Sequence, residues 1–208
     1  GLDSVALNAI SESSYKKYVE ELSSDRFMGR KPFTKGDTLA VNYIREQFEQ
    51  LGLAPGNGDS YFQEVPMVEI NSTAPAQLTF TGAKGSVTIK DLEDYVIGSR
   101  QLQEQIQLDQ SKLVFAGFGI IAPEYDWNDY AGLDVKGKTV IVMVNDPGHY
   151  DKTLFKGDTM TYYGRWTYKY EEAARQGAAG VLLIHDKAAA SYDWDVVKSS
   201  WSGSQLDL

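Results

Sequence analysis

The sequence predicts a mixed α/β (α+β) protein in which helices come first and short strands follow. Apolar residues recur at helical spacing twice within residues 1–60. From residue 61 onward the apolar runs shorten to strand length and turn residues separate them. Near residues 139–184 a strand-like run, an amphipathic stretch and a second apolar run follow in the order of a βαβ unit. With 208 residues, 42% of them apolar and 24% charged, the chain is long enough to bury one large core or two small ones.

Tyr15, Tyr18, Val19 and Leu22 fall at i, i+3, i+4 and i+7, one face of a helix. Ser11 suits its N-cap, and Ile10 with Tyr15 has the spacing of a hydrophobic staple. Residues 23–32 read as a loop by their Gly, Pro and charge content. In a second helix Leu39, Tyr43, Ile44, Phe48 and Leu51 share a face, and Gly52 suits the left-handed residue after the helix end. Two such helices cannot bury two apolar faces on each other alone, so they need a partner surface. Ala-Pro-Gly-Asn-Gly-Asp-Ser at residues 54–60 is the clearest punctuation, which divides the chain into a helical segment, 1–60, and a strand-rich domain, 61–208. Strands are predicted at residues 62–68, 77–80, 87–89, 112–121 and 139–145. A helix fits residues 164–176, with Trp166, Tyr170, Ala173 and Ala174 as its apolar stripe and Gly177 ending it. Residues 180–184 form a buried strand, and the βαβ unit they complete implies a right-handed crossover. Residues 193–201 read as structured sequence running almost to Leu208, as in an excised fragment.

Composition excludes whole classes of function. A net charge of −9 argues against nucleic acid as a partner, since phosphate contacts need clustered Lys and Arg. Without cysteine there is no disulfide, thiolate zinc site or thiol catalyst. Two histidines, His149 and His185, are all that a zinc site or a Ser-His-Asp triad could draw on. No transmembrane segment is predicted, because the longest apolar stretch, residues 113–122, is far short of the ~20 residues that span a bilayer. The chain opens on Gly1-Leu2-Asp3-Ser4 with no signal sequence, so a removed signal peptide or a trimmed end is expected.

Four groups carry candidate chemistry. His185-Asp186 ends a predicted strand, where α/β folds often place functional groups, although a histidine that merely bonds the sheet edge is favoured there. His149 lies in a turn, Asn145-Asp146-Pro147-Gly148-His149, and the same reading is favoured. Glu171 and Glu172 diverge by about 100° on a helix and precede Arg175 at ion-pair spacing, so they read as a solvated face rather than an acid/base pair. Acidic and aromatic residues cluster at 123–130. A carboxylate-dependent glycosidase using Glu124 with Asp126 or Asp129 is the weakest option there, and a sugar- or peptide-binding surface is stronger. In the aromatic run at 160–168, which enters the helix, core packing at the sheet–helix junction is favoured at least for Trp166 and, just beyond it, Tyr170. The candidate surface residues are Tyr125, Trp127, Tyr162, Tyr163 and Arg165. No residue qualifies as catalytic or as a metal ligand.

Two stretches are more specific in wording than in physics. Leu22-Ser-Ser-Asp-Arg-Phe-Met-Gly-Arg30, followed by Thr38-Leu-Ala-Val-Asn-Tyr-Ile-Arg-Glu-Gln-Phe-Glu-Gln-Leu-Gly-Leu53, resembles the start of bacterial di-zinc aminopeptidases related to aminopeptidases S and Y. Phe115-Ala-Gly-Phe-Gly-Ile-Ile-Ala-Pro-Glu-Tyr125, Tyr130-Ala-Gly-Leu-Asp-Val-Lys-Gly-Lys-Thr-Val140 and Ala173-Ala-Arg-Gln-Gly-Ala-Ala-Gly-Val-Leu-Leu-Ile184 resemble the protease-associated (PA) domain inserted in many of them. The resemblance implies N-terminal helices packed on a peptidase domain and a PA domain with a mixed β-sheet or open barrel and flanking helices. The family's two zinc ions sit in the peptidase domain, opened by a His-x-Asp motif. His185 is followed directly by Asp186 and His149 by Tyr150, so neither matches. The resemblance therefore implies a non-catalytic portion of a periplasmic or extracellular hydrolase, with no cofactor of its own. Its partners would be that peptidase domain and a peptide or protein substrate. The alternative is a standalone peptide- or glycan-binding module.

Overall fold

The computed structural model describes residues 2–101 and 103–208, and the chain divides into two compact units, one up to Pro66 and one from Met67. The first unit holds α1 (Leu2–Ala9), α2 (Glu12–Leu22), a 3-10 segment at Asp25–Arg30 and α3 (Lys35–Gln50). Ser11 caps α2 as its sequence predicts, its Oγ accepting the Ser14 N–H at 3.1 Å. The predicted staple buries nothing, because Ile10 is 74% and Tyr15 70% exposed.

This unit is organised around Phe27, which is fully buried and meets Tyr43 edge to face at 5.8 Å. The seat for the 3-10 segment is made by the small side of α3, Gly36 and Ala40, both buried. Glycine is required there: a Cβ on residue 36 would lie 2.2 Å from the Phe27 carbonyl oxygen. The predicted face of α3 is therefore only partly the buried one. Ile44, Phe48 and Leu51 stay exposed, and Gly52, at φ +71°, ends the helix as expected.

The second unit begins with β1 (Val68–Ile70), then a hairpin of β2 (Gln77–Gly82) and β3 (Gly85–Lys90). Next come β4 (Leu113–Phe115), β5 (Ile121–Ala122), β6 (Trp127–Asn128) and β7 (Thr139–Met143). The chain continues through α4 (Trp166–Arg175), β8 (Gly180–Ile184), α5 (Lys187–Ala190), α6 (Trp194–Trp201) and β9 (Gln205–Asp207). β9 returns to pair antiparallel with β1. The central sheet is parallel in the order β4-β7-β8, so β7, α4 and β8 form the predicted βαβ unit. Helices and small sheets make the mixed α/β class, and among the described residues no sheet closes into a barrel.

Two strand predictions need correction. Residues 62–68 pair only from Val68 onward. Residues 112–121 are not one strand: β4 stops at Phe115, and the chain turns through Gly117 (φ +53°) and Gly119 (φ +64°) before β5. Gly119 passes so close to β7 that a Cβ there would come within 2.6 Å of Val142 Cγ1. The Asp129 carboxylate holds the turn, Oδ2 accepting from the N–H of Phe118 (3.2 Å) and Ile120 (3.0 Å).

Side chains alternate across the parallel strands, so the sheet has two distinct faces. One carries Val140 and Val142, fully buried against Ala116, Tyr130, Val135 and Ala173, with Val114, Val181 and Leu183 packed beside them. The other carries Leu113 (40% exposed), Phe115 (57%) and Ile184 (47%) with half-buried Ile141, Met143 and Leu182. Among the described residues no helix is long and apolar enough to cross a membrane.

Candidate functional site

Open α/β sheets bind ligands beyond the C-terminal ends of their strands, and here that edge is closed by three buried polar residues. Asn145, in the left-handed region at φ +70°, donates from Nδ2 to the Ala189 carbonyl (2.8 Å) and accepts the Asp146 N–H on Oδ1 (2.7 Å). Asp146 is fully buried; its carboxylate accepts from the N–H of Gly148 (3.0 Å), the N–H of Thr161 (2.8 Å) and Thr161 Oγ1 (2.6 Å). It thereby pins both ends of the loop between β7 and α4. Lys169, also fully buried, reaches down from α4 and donates from Nζ to the carbonyls of Phe118 (2.6 Å) and Asn145 (2.8 Å). Burial lowers its pKa from 10.5 to about 7, with the charges of Asp129 and Asp146 opposing the fall. Either protonation state can serve both carbonyls, since a neutral amine still has two N–H donors.

The predicted histidines take structural parts in this frame. His185 bonds the Tyr192 carbonyl through Nε2 at 3.1 Å and lies among the rings of Tyr192 (5.3 Å), Trp194 (6.1 Å) and Trp166 (6.2 Å). Asp186 caps α5, its Oδ1 accepting the Ala189 N–H at 2.8 Å. His149 meets Tyr150 edge to face at 4.8 Å in the turn after β7. The two histidines are not brought together on any shared carboxylate: among the described residues no three His, Asp or Glu side chains gather as a metal ion would require.

Glu171 lies on the solvated face as its spacing predicts, 3.7 Å from Arg175. Glu172 does not. It is buried and accepts from Arg175 Nε (2.8 Å), Gln176 Nε2 (2.8 Å) and Tyr168 OH (3.3 Å). The buried side of α4 is Tyr168, Lys169, Glu172 and Ala173, whereas the predicted stripe included the exposed Ala174.

Three of the five candidate surface residues form one cluster. Tyr125 stacks on Phe155 (4.4 Å, 18°), Trp127 meets Phe155 edge-on (5.7 Å, 73°), and Tyr163 meets it edge-on from a third side (6.1 Å, 79°). Tyr163 OH donates to Glu124 Oε1 at 2.6 Å, which raises the phenol pKa to about 12 and lowers that of the Glu124 carboxyl. Tyr162 is 59% exposed and Arg165 is exposed. Tyr162 OH bonds Glu171 Oε2 at 3.2 Å and its ring meets Tyr168 at 5.8 Å. Asp126 is exposed while Asp129 is spent on the 117–120 turn, so the Glu124, Asp126 and Asp129 carboxylates do not act as one acid/base set. Phe155, Lys169 and Asp146 were not singled out by sequence. The signal for Lys169 was its helical spacing from Ala173, i to i+4, on a buried face.

Compared with known proteins, the chain matches no protein-family model, no curated protein and no solved structure.

Proposed function

We propose that this chain is the non-catalytic N-terminal and protease-associated portion of a secreted or periplasmic zinc aminopeptidase, acting in substrate access or recognition. The resemblance of residues 22–53 and 115–184 names the family. The observation that carries the docking role is the half-covered parallel sheet. Such sheets are as a rule covered on both faces, yet Leu113, Phe115 and Ile184 are exposed on the second face. The exposed Ile44, Phe48 and Leu51 of α3 are a second apolar surface of the kind that packs on a larger domain. In this reading the two zinc ions and all hydrolytic residues belong to that separate peptidase domain, and no catalytic step runs through this chain.

The test is zinc titration by calorimetry together with assay of aminoacyl anilides. The isolated chain should bind no stoichiometric zinc and hydrolyse nothing, and the encoded polypeptide should carry a His-x-Asp motif within about a hundred residues after Leu208. Tight uptake of two zinc ions by residues 1–208 overturns the proposal. A second reading, a standalone peptide- or glycan-binding module, is favoured by the exposed Tyr162 and Arg165 beside the aromatic cluster; a stop codon after Leu208 would select it.

A further inference from the structure

We propose that Tyr125, Trp127 and Tyr163 form a binding site for an aromatic residue of a peptide, kept shut by the protein's own Phe155. The walls and the plug come from different segments. Tyr125 ends the 3-10 segment linking β5 to β6, Trp127 opens β6, and Tyr163 belongs to the 3-10 turn ahead of α4. Phe155 comes from the loop between them, in a stretch with neither helix nor strand.

Three observations separate this arrangement from ordinary packing. The Phe155 ring lies nearly parallel to Tyr125 at 4.4 Å and is met edge-on by Trp127 and Tyr163, so the site already holds a flat ring in an aromatic-selective geometry. Phe155 reaches it from φ +48°, a left-handed backbone that is uncommon for a bulky residue and costs energy the ring contacts must offset. The Trp127 indole N–H is buried with no hydrogen-bond partner. A phenyl ring has no acceptor to offer it, whereas an aromatic residue in a peptide brings a ring and a backbone carbonyl together.

The walls are held independently of the plug. Tyr163 is anchored by its bond to Glu124 and by the Tyr168 ring at 4.9 Å. Beyond Phe155 the loop is tied at Thr161 by Asp146, and on the near side Asp151 bonds the Thr153 N–H at 2.9 Å. Release of Phe155 moves the span between Thr153 and Thr161 and breaks the bond from the Leu154 N–H to the Asp151 carbonyl (3.0 Å) and the Lys152–Asp158 ion pair (2.5 Å). A peptide that inserts its ring gains the stack on Tyr125, satisfies the indole and relieves the left-handed residue. The inference goes beyond the peptidase reading and holds for either role of the whole chain.

The test follows the Trp127 indole N–H resonance, assigned by its loss in Trp127→Phe, as N-acetylphenylalaninamide is added to the 15N-labelled chain. In Phe155→Ala the probe should bind at least tenfold more tightly than in the unaltered chain and shift that resonance, and Tyr125→Ala combined with Phe155→Ala should abolish the gain. In the unaltered chain, saturating probe should also shift the amide resonances of residues 153–157 as the loop leaves. A folded Phe155→Ala that binds no more tightly, a gain that survives loss of Tyr125, or an equal indole shift with methyl glucoside each overturns the proposal. If Phe155→Ala does not fold, the unaltered chain decides: no indole shift, or an indole shift with the 153–157 amides unmoved, overturns it.

Discussion

Lys169 gives the second unit a stability that should rise with pH. In the unfolded chain its amine titrates at the ordinary 10.5, and in the folded protein burial brings it to about 7. Between those values the unfolded chain holds a proton that the folded one has lost, so raising the pH from about 7 to about 10.5 favours the folded state. Below about 7 both states are protonated and this group contributes no slope. Each pH unit within the window is worth at most about 1.4 kcal/mol, which sums to about 5 kcal/mol. The carbonyls of Phe118 and Asn145 bind an ammonium more strongly than an amine, which brings the expected gain to about 2–4 kcal/mol.

Replacing Lys169 with Met removes the titration and leaves those two carbonyls without their donor, at about 1–3 kcal/mol each. Urea unfolding followed by tryptophan fluorescence reports this unit alone, because all four tryptophans, Trp127, Trp166, Trp194 and Trp201, lie beyond Met67. Between pH 6.5 and 10 the gap between the unaltered chain and Lys169→Met should widen by about 2–4 kcal/mol. The window stops at pH 10 because Tyr163, through its bond to Glu124, and Tyr170, through burial, titrate at about 12 when folded. Above their ordinary value of 10 the folded state retains protons the unfolded one loses, so stability falls again. Parallel pH curves for the two proteins would refute the reasoning, since an amine that stays charged throughout contributes no slope.

Other changes probe other anchors. Asp146→Ala strands three donors, the N–H groups of Gly148 and Thr161 and the Thr161 hydroxyl; a loss of about 2–4 kcal/mol is expected in the same urea assay, and a loss under about 1 kcal/mol counts against Asp146 as the loop's anchor. Gly36→Ala forces the Phe27 segment off α3, so amide exchange of residues 36–43 should speed at least tenfold, and unchanged exchange contradicts the close approach. Tyr163→Phe removes the hydrogen bond that lowers the Glu124 pKa; the carboxyl, followed by NMR, should then titrate upward toward the ordinary glutamate value, and an unmoved titration means another group holds it down.

Periodicity carried the sequence reading furthest where side chains are apolar and elements are long. The valines of β7, the run at 180–184 and the Ser11 cap fall where their spacing puts them. Periodicity failed where contacts between distant residues decide. The break after Phe115 depends on Asp129 reaching back to two N–H groups, and nothing in residues 112–121 announces that partner. Ile10 and Tyr15 have staple spacing but no surface to close on. Lys169 and Glu172 are the sharpest case, because charged residues on an amphipathic helix are read as its solvent side. Both are buried here, since each finds partners that only the assembled sheet edge and helix end provide.

Those partners also bear on where a ligand can act. In open α/β proteins the C-terminal edge of a parallel sheet offers free N–H groups and a crevice. At this edge the Lys169 amine ties the 117–120 turn to the end of β7, and Asp146 has consumed the donors of the following loop. A group engaged in several buried bonds cannot turn to a substrate without losing them, so the edge is structural cement. Groups of this unit that still lack partners include the apolar second face of the sheet and the indole N–H of Trp127 beside Phe155, together with Tyr130 OH, Trp166 Nε1 and His185 Nδ1. A surface that can still gain contacts is where binding lowers free energy, and the open sheet face and the Trp127 site are two such surfaces. Under the two proposals above, an extended chain with one aromatic residue would enter the Trp127 site and a larger packed surface would cover the open face of the sheet.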